Sequence, residues 1–140
     1  YGIGIVDEKR IDEINIYEAS RKAMKLAIAN LSVKPEYILS DAMKLEGDIP
    51  CEPIIHGDLL SISISAASVI AKVTRDNMMI ELDKKYPMYE FKSHKGYPTK
   101  KHLENLQKYG VLENYRFTYK PVRDLIEKEG RKEHEKITNK

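Results

Sequence analysis

The sequence contains one cysteine, Cys51, so the chain cannot form a disulfide bond with itself. A single unpaired cysteine is typical of a reducing compartment, and we expect a cytoplasmic protein. The sequence contains no apolar run near the roughly 20 residues that a membrane-spanning helix needs. The N-terminal residues also lack the pattern of a secretory signal peptide. Cysteine and histidine do not cluster at zinc-site spacings, which excludes a structural zinc module.

The sequence also has little excess of charge of either sign, with 24 basic residues (Lys and Arg) and 22 acidic ones (Asp and Glu). The 140 residues are 41% hydrophobic and 33% charged, a balance that suits a globular domain. The formal net charge of +2 is too small to indicate a nucleic-acid partner by itself. Any indication of such a partner must therefore come from the positions of the basic residues.

The first third of the chain predicts a strand, a helix and a second strand. Residues 3–6 would form a short strand that ends at Asp7, and Asp12 would cap a helix that runs to about Leu31. The spacing of apolar residues predicts one buried face on this helix, made of Ile14, Tyr17, Met24, Ile28 and Leu31. Residues 37–39 then form an apolar strand whose end carries Asp41.

The middle third predicts a short strand and a long helix. After a loop that contains Gly47, Pro50 and Cys51, residues 54–55 form a strand that ends at Gly57 and Asp58. A helix follows over most of residues 61–85. Its predicted buried face consists of Ile62, Ala66, Val69, Val73 and Ile80.

The last third predicts a loop and two helices. Residues 86–99 form a loop, and its aromatic residues Tyr86, Tyr89 and Phe91 would attach it to the core. Thr99 caps a helix that contains Leu103 and Leu106 and ends at Gly110. We interpret residues 1–122 as one α/β domain and residues 123–140 as a short charged helix with a solvated tail.

Two aspartates at the ends of successive strands predict a metal site. Asp41 and Asp58 would converge on one divalent cation, because neighbouring strands lie only about 4.8 Å apart. Mg²⁺ and Mn²⁺ prefer such hard oxygen ligands. The alternative is that the aspartates only cap a turn or the following helix, which is a common role for this residue type.

The stretch "HGDLLSISISAASVIAKVTRD", residues 56–76, has two interpretations. Its small residues allow close approach of a backbone, so that Ser65, Ser68 and Lys72 could contact phosphate groups. The same residues could instead pack closely against a sheet, with Lys72 and Asp76 as a pair one helical turn apart. The residue pattern alone leaves both interpretations open.

Several motifs together resemble the ribonuclease HII family. They are "IDEINI" (11–16), "YILSD" (37–41), "HGD" (56–58), "SISAASVIAKVTRD" (63–76) and "HKGYPT" (94–99), in the family's order and spacing. The resemblance extends from Tyr1 to about Val122. It implies a ribonuclease H-like fold, in which helices flank a mixed sheet.

The resemblance also implies an activity and its residues. The family hydrolyses the RNA strand of RNA–DNA hybrids and nicks duplex DNA on the 5′ side of an embedded ribonucleotide. Four carboxylates bind two divalent cations, Mn²⁺ or Mg²⁺, and by position two of these carboxylates are the catalytic, metal-binding Asp41 and Asp58. Tyr97 would stack on the deoxyribose that follows the ribonucleotide. Contacts to the substrate backbone are implied for Ser65, Ser68 and Lys72. His94 and Lys95 could bind the nucleic acid by facing its phosphates, or they could lie on a solvated face of the loop.

The sequence departs from the family pattern at one motif. No D-E-x-G-R-G segment occurs, and we interpret the Asp7–Glu8 pair as unrelated to catalysis because Lys9 and Arg10 follow it where glycines are needed. We therefore expect a C-terminal two-thirds of the family fold that lacks its first strands. Such a chain would pair with a missing N-terminal segment or self-associate through an exposed sheet edge.

Two other functions are compatible with the sequence. A non-catalytic nucleic-acid binding module would retain the basic residues of the junction-reading loop and of the long helix, namely Lys72, Lys92, Lys95, Lys100 and Lys101. A small metal-dependent phosphatase is a weaker alternative.

Overall fold

A computed structural model describes the backbone of residues 1–138 and the side chains of residues 1–133. The chain divides into two compact units, Tyr1–Arg75 and Asp76–Lys140. Within residues 1–138, no helix is both long enough and apolar enough to cross a membrane.

The predicted strand at residues 3–6 is wrong, because this segment pairs with no strand of the described chain, residues 1–138. It packs closely along a helix instead. A Cβ atom on Gly4 would lie 2.0 Å from the carbonyl oxygen of Ala23, and one on Gly2 would lie 2.3 Å from that of Ala27. The Asn30 side-chain amide donates a 2.7 Å hydrogen bond to the Ile3 carbonyl. Glycine is thus needed here for a close backbone approach rather than for a strand.

Two helices replace the single helix predicted over residues 12–31. Helix α1 spans Glu8–Ile14 and α2 spans Ile16–Ala29. Asp7 caps α1 by accepting the Arg10 N–H at 2.8 Å, so the predicted cap at Asp12 is wrong. Asn15, with φ of 74°, separates the helices and caps α2 by accepting the Glu18 N–H at 3.0 Å. The fully buried residue of α2 is Ala19, and Tyr17 of the predicted buried face is exposed.

The two predicted central strands are present and form a parallel pair. Strand β1 spans Ile38–Asp41 and β2 spans Cys51–Ile54, with Asp41 opposite Ile54. Strand β2 begins earlier than predicted, so Cys51 lies in a strand and not in a loop. Its Sγ atom lies 3.4 Å from the Ser40 Oγ. Both strands of the sheet lie in the first unit.

The predicted long helix is confirmed, but its buried face is not. A one-turn helix α3 (Gly57–Leu60) precedes helix α4 (Ile62–Lys85). Ser61 caps α4, because its Oγ accepts the Ile64 N–H at 3.3 Å. Ile64 is the buried residue of α4, while Ile62 is 90% exposed and Val69 and Val73 are also exposed. The apolar spacing thus located the helix and assigned the wrong face.

The second unit has an aromatic core. Tyr89, Phe91, Leu106 and Val122 are buried together, with Met79, Leu82 and Tyr86 among the residues packed against them. A 3₁₀ turn (Pro87–Tyr89) and helix α5 (Phe91–His94) carry the aromatic residues. The Tyr89 and Phe91 rings stack with centroids 5.7 Å apart. These residues attach the 86–99 segment to the core, as predicted.

The last two helices begin and end for identifiable reasons. Helix α6 spans Lys100–Tyr109, and Thr99 caps it by accepting the His102 N–H at 3.2 Å. Gly110, with φ of 88°, ends it, so both predicted limits are confirmed. Helix α7 spans Lys120–Thr138 and is longer than the short helix predicted. Residues 139–140 of the predicted tail lie outside the described residues.

Candidate functional site

Asp41 lies at the end of β1 and is hydrogen-bonded to Gly57, the residue that precedes Asp58. Its Oδ1 accepts a 3.0 Å hydrogen bond from the Gly57 N–H. Gly57 is buried, and a Cβ atom there would lie 3.4 Å from the Asp41 Cα and 2.6 Å from the Ile64 Cδ1. The close packing at this glycine therefore keeps the start of α3 against the end of β1.

Asp58 lies on α3 and not at the end of a strand as predicted. The chain leaves β2 at Ile54 and turns at His56, whose φ of 57° is left-handed. The Leu59 and Leu60 amides then donate to the His56 carbonyl at 3.0 and 3.1 Å. This turn brings Asp58 to the first turn of α3, one residue after the Asp41–Gly57 hydrogen bond. The side chains of both aspartates are exposed.

Asp41 and Asp58 offer oxygen ligands for a divalent cation. Two exposed carboxylates supply the hard oxygen ligands that Mg²⁺ and Mn²⁺ prefer. Within the described side chains, no group of three or more histidine, cysteine, aspartate or glutamate residues could hold a metal. The aspartates thus fit a divalent cation by chemical type, but they supply only part of a coordination shell.

The predicted phosphate-contacting residues Ser65, Ser68 and Lys72 all lie on α4. Their spacing of three and four residues places them on one face of the helix. Ser68 and Lys72 are exposed, and Ser65 is half-buried. This face belongs to the first unit, together with Asp41 and Asp58.

Tyr97 lies just after a tight turn in the second unit. Lys95 and Gly96 both have positive φ, of 53° and 84°. The Tyr97 N–H donates to the His94 carbonyl at 2.9 Å, which closes the turn. Two successive left-handed residues with this hydrogen bond are typical of a type I′ turn. The Tyr97 side chain is 58% exposed, so its ring is available to a ligand.

His94, predicted to contact phosphate, is buried with 6% exposure. Its Nδ1 accepts the Gly96 N–H at 3.0 Å, and its Nε2 lies 2.7 Å from the Tyr89 carbonyl oxygen. Both ring nitrogens are used inside the protein, so the prediction of a direct phosphate contact is wrong for this structure. Lys95 is only half-buried, and its Nζ donates to the Lys92 carbonyl at 2.6 Å.

His102, which is 4% exposed on α6, was not among the predicted site residues. Its ring stacks on that of His94 with centroids 3.8 Å apart and planes 9° apart. Burial lowers the pKa of His102, the hydrogen bond to the Tyr97 carbonyl raises it, and the neighbouring His94 lowers it to a smaller extent than burial does. A signal was available, because His102 shares its helix face with Asn105 and Leu106, at spacings of three and four.

Asn105 and Glu90 extend this buried polar cluster. The Asn105 amide donates to the Tyr89 carbonyl and to the Glu90 carboxylate, both at 3.0 Å. This hydrogen bond from Asn105, followed by the nearby Lys101, lowers the pKa of Glu90. Burial raises the pKa of Tyr115, whose hydroxyl lies 2.5 Å from the His102 Nε2. Hydrogen bonds thus connect the buried polar residues next to the Tyr97 turn, namely Glu90, His94, His102, Asn105 and Tyr115.

Comparison with known proteins identifies the family. Residues 1–122 match the family model described as Ribonuclease HII. The chain belongs to the ribonuclease HII family. The predicted resemblance is therefore confirmed over the residues that carry its motifs.

Curated relatives and a solved structure agree with this assignment. Ribonuclease HII proteins from Bacillus anthracis and Bacillus thuringiensis are each 60% identical to the chain over 127 residues. The match covers 91% of this chain and 49% of each relative, so the chain spans about half their length. The crystal structure of the ribonuclease H2 from Pyrococcus horikoshii matches with a TM-score of 0.72 and 28% identity. That match covers 88% of this chain and 66% of the other, and it confirms the α/β, ribonuclease H-like fold class.

Proposed function

We propose that this chain carries part of the active site of a metal-dependent endonuclease. The enzyme hydrolyses the RNA strand of RNA–DNA hybrids and nicks duplex DNA on the 5′ side of embedded ribonucleotides, leaving a 3′-hydroxyl and a 5′-phosphate. Asp41 and Asp58 are its catalytic residues within this chain. The family membership and the motifs around these two aspartates support the proposal.

The hydrogen bond between Asp41 and the Gly57 amide is the single observation that best supports this proposal. It ties the end of β1 to the start of α3 at 3.0 Å, so that the elements bearing Asp41 and Asp58 are held together. A divalent cation bound there would activate a water and stabilise the leaving oxygen. Asp41 and Asp58 would hold two cations, Mn²⁺ or Mg²⁺, only with further carboxylates, because Mg²⁺ gives up its water reluctantly.

The remaining predicted contacts would hold the nucleic acid. Tyr97 stacks on the deoxyribose after the ribonucleotide, and its exposed ring supports this role. Ser68 and Lys72 contact the substrate backbone from the exposed face of α4, and Ser65 lies beside them. Lys95 supplies a positive charge next to Tyr97. We place the enzyme in the cytoplasm, which the single free cysteine of this chain supports.

Nicking of a labelled duplex tests the catalytic proposal. The substrate is a DNA duplex with one ribonucleotide, incubated with Mn²⁺ and the full chain. Each assay is repeated with the part of a Bacillus ribonuclease HII that this chain does not match. We expect nicking 5′ of the ribonucleotide in the complemented assay. Asp41→Asn should abolish it, because the amide cannot replace a negatively charged ligand.

Asp41→Asn removes the negative charge alone, because the asparagine side-chain oxygen can still accept the Gly57 N–H. Lost nicking with an intact fold therefore reports on charge. The matched control is Asp48→Asn, which changes an exposed aspartate in the loop before β2. Nicking that survives Asp41→Asn, or that equally requires Asp48, would contradict the proposal.

A non-catalytic nucleic-acid binding module is the second candidate. The exposed lysines of α4 and of the residues around Tyr97 favour it. This module would bind through Lys72, Lys92, Lys95, Lys100 and Lys101. Salt-dependent binding of the duplex without nicking, in both the isolated and the complemented assays, would support the module over the enzyme.

A further inference from the structure

The rings of His94 and His102 form a buried stacked pair, and each ring hydrogen-bonds to the main chain of the Tyr97 turn. Their centroids lie 3.8 Å apart with planes 9° apart, and the Phe91 ring meets both edge-on at 5.4 and 6.0 Å. All four ring nitrogens lie within hydrogen-bond distance of a protein group. Neither ring is therefore available to a substrate.

The hydrogen-bond partners fix the tautomer of His94 and the donor nitrogen of His102. The Gly96 N–H can only donate, so the His94 Nδ1 is the acceptor and its Nε2–H donates to the Tyr89 carbonyl. The Tyr97 carbonyl can only accept, so the His102 Nδ1–H donates to it at 2.8 Å. The His102 Nε2 lies 2.5 Å from the Tyr115 hydroxyl, and burial favours the neutral ring, in which this nitrogen accepts from the hydroxyl. Each ring is neutral, and the two rings are opposite tautomers.

These bonds hold the main chain on both sides of Tyr97. His94 binds the Gly96 N–H through its ring and the Tyr97 N–H through its own carbonyl. His102 binds the Tyr97 carbonyl. Lys95, with φ of 53°, occupies a conformation that residues with a Cβ atom rarely adopt. The turn therefore depends on these partners for its shape.

We propose that His94 and His102 are positioning residues: as a neutral stacked pair they fix the turn that presents Tyr97 to the nucleic acid. This inference rests on the proposed role of Tyr97 in substrate binding. It replaces the predicted contact between His94 and phosphate.

Two substitutions at His94 separate positioning from packing. His94→Asn keeps an acceptor for the Gly96 N–H, because the Asn Oδ1 lies close to where the Nδ1 was. His94→Leu fills similar space without an acceptor. In both variants the Tyr89 carbonyl keeps its hydrogen bond from Asn105. The pair thus differs mainly in the hydrogen bond to the turn.

The first readout is the binding of a fluorescent, ribonucleotide-containing duplex by the full chain, without divalent cations. In the wild-type background we expect Tyr97→Ala to weaken binding by about tenfold, a typical effect of losing one stacked ring. The same loss should appear in the His94→Asn background. In the His94→Leu background, Tyr97→Ala should change binding by less than about twofold, since the ring is no longer positioned.

The second readout is hydrogen exchange of the Gly96 amide, which needs no nucleic acid. We expect protection in the wild type and His94→Asn, and at least about tenfold less protection in His94→Leu. If Tyr97→Ala has no effect in the wild type, the stacking role fails, and Gly96 exchange alone then decides on positioning. Unchanged protection in His94→Leu, or an undiminished Tyr97→Ala effect there, would overturn the inference. Should His94→Leu not fold, His102→Asn and His102→Leu allow the same comparison at the Tyr97 carbonyl.

Discussion

The Asp41 Oδ1 lies 3.0 Å from the main-chain nitrogen of Gly57 and accepts its hydrogen bond. The bond joins a strand end to a helix start, and each of these carries one of the two proposed metal-binding aspartates. The same carboxylate is thus assigned a structural and a catalytic role. Two substitutions separate these roles. Asp41→Asn keeps the hydrogen-bond acceptor and removes the charge, whereas Asp41→Ala removes both.

We expect Asp41→Asn to leave the free energy of unfolding within about 0.5 kcal/mol of the wild type, since the amide oxygen can accept the Gly57 N–H. Asp41→Ala removes the acceptor and should cost about 1 kcal/mol. Urea unfolding measures both, and Gly57 amide exchange locates the change. Equal stability of the two variants would show that the hydrogen bond contributes little.

Gly57→Ala tests the close packing at the start of α3. A Cβ atom would lie 2.6 Å from the Ile64 Cδ1, so we expect a loss of about 1–2 kcal/mol in the free energy of unfolding. Ile64→Val removes that Cδ1 and by itself should cost about 1 kcal/mol. The double variant should be more stable than the sum of the single losses predicts. Simple additivity, measured by urea unfolding, would place the steric conflict elsewhere.

Lys95→Asn tests the charge beside Tyr97 without disturbing the turn. Asparagine tolerates the left-handed conformation that Lys95 adopts, so the turn should persist. We expect weaker duplex binding. The plot of the logarithm of the binding constant against the logarithm of the salt concentration should become less steep by about 1, as for one lost phosphate contact. The control is Lys84→Asn, which removes an exposed lysine paired with Glu81 at 2.6 Å. A similar slope change in the control would indicate a general charge effect.

The buried histidine pair should make the stability of the second unit depend on pH. The pKa of His102 is lowered in the folded protein by burial and by His94, so folding favours its neutral form. Its contribution is therefore fully present above the unfolded value of about 6.5 and is lost as the pH falls through the lower folded pKa. Its ring contacts the His94 ring and the Tyr115 hydroxyl, and Lys101, the preceding residue in the chain, forms an ion pair with Glu90 at 3.4 Å.

Denaturant unfolding at several pH values checks this dependence. We expect the free energy of unfolding to decrease from about pH 7 to pH 5, below the ordinary histidine value. His102→Asn, which keeps a donor for the Tyr97 carbonyl and does not titrate, should flatten the curve. An equally steep curve in this variant would assign the dependence to other groups.

Local patterns predicted much of the fold correctly. The apolar run before Asp41 is a strand, Thr99 and Gly110 limit α6, and the long helix covers most of residues 61–85. Each of these features depends on residues within one or two turns of each other. The family assignment was also predictable, because the motifs occur in their order along the chain.

The exposure of each face was not predictable in the same way. The apolar residues at 3–6 predict a strand, but Gly4 and the preceding Gly2 pack against the backbone of α2 instead. Ile62, Val69 and Val73 have helical apolar spacing and yet are exposed. Which apolar residues are buried depends on the elements packed against them, and the period of one segment does not contain that information.

The sequence by itself determined the residue types at the candidate site: two aspartates, a serine-rich helix and a tyrosine after a glycine turn. Only the tertiary structure decided that Asp41 bonds to Gly57 and that His94 is buried against His102. Local structure follows from caps, turn residues and periodicity within a few residues. Contacts between distant residues form only when the chain packs, and that packing gave His94 partners inside the protein in place of a phosphate.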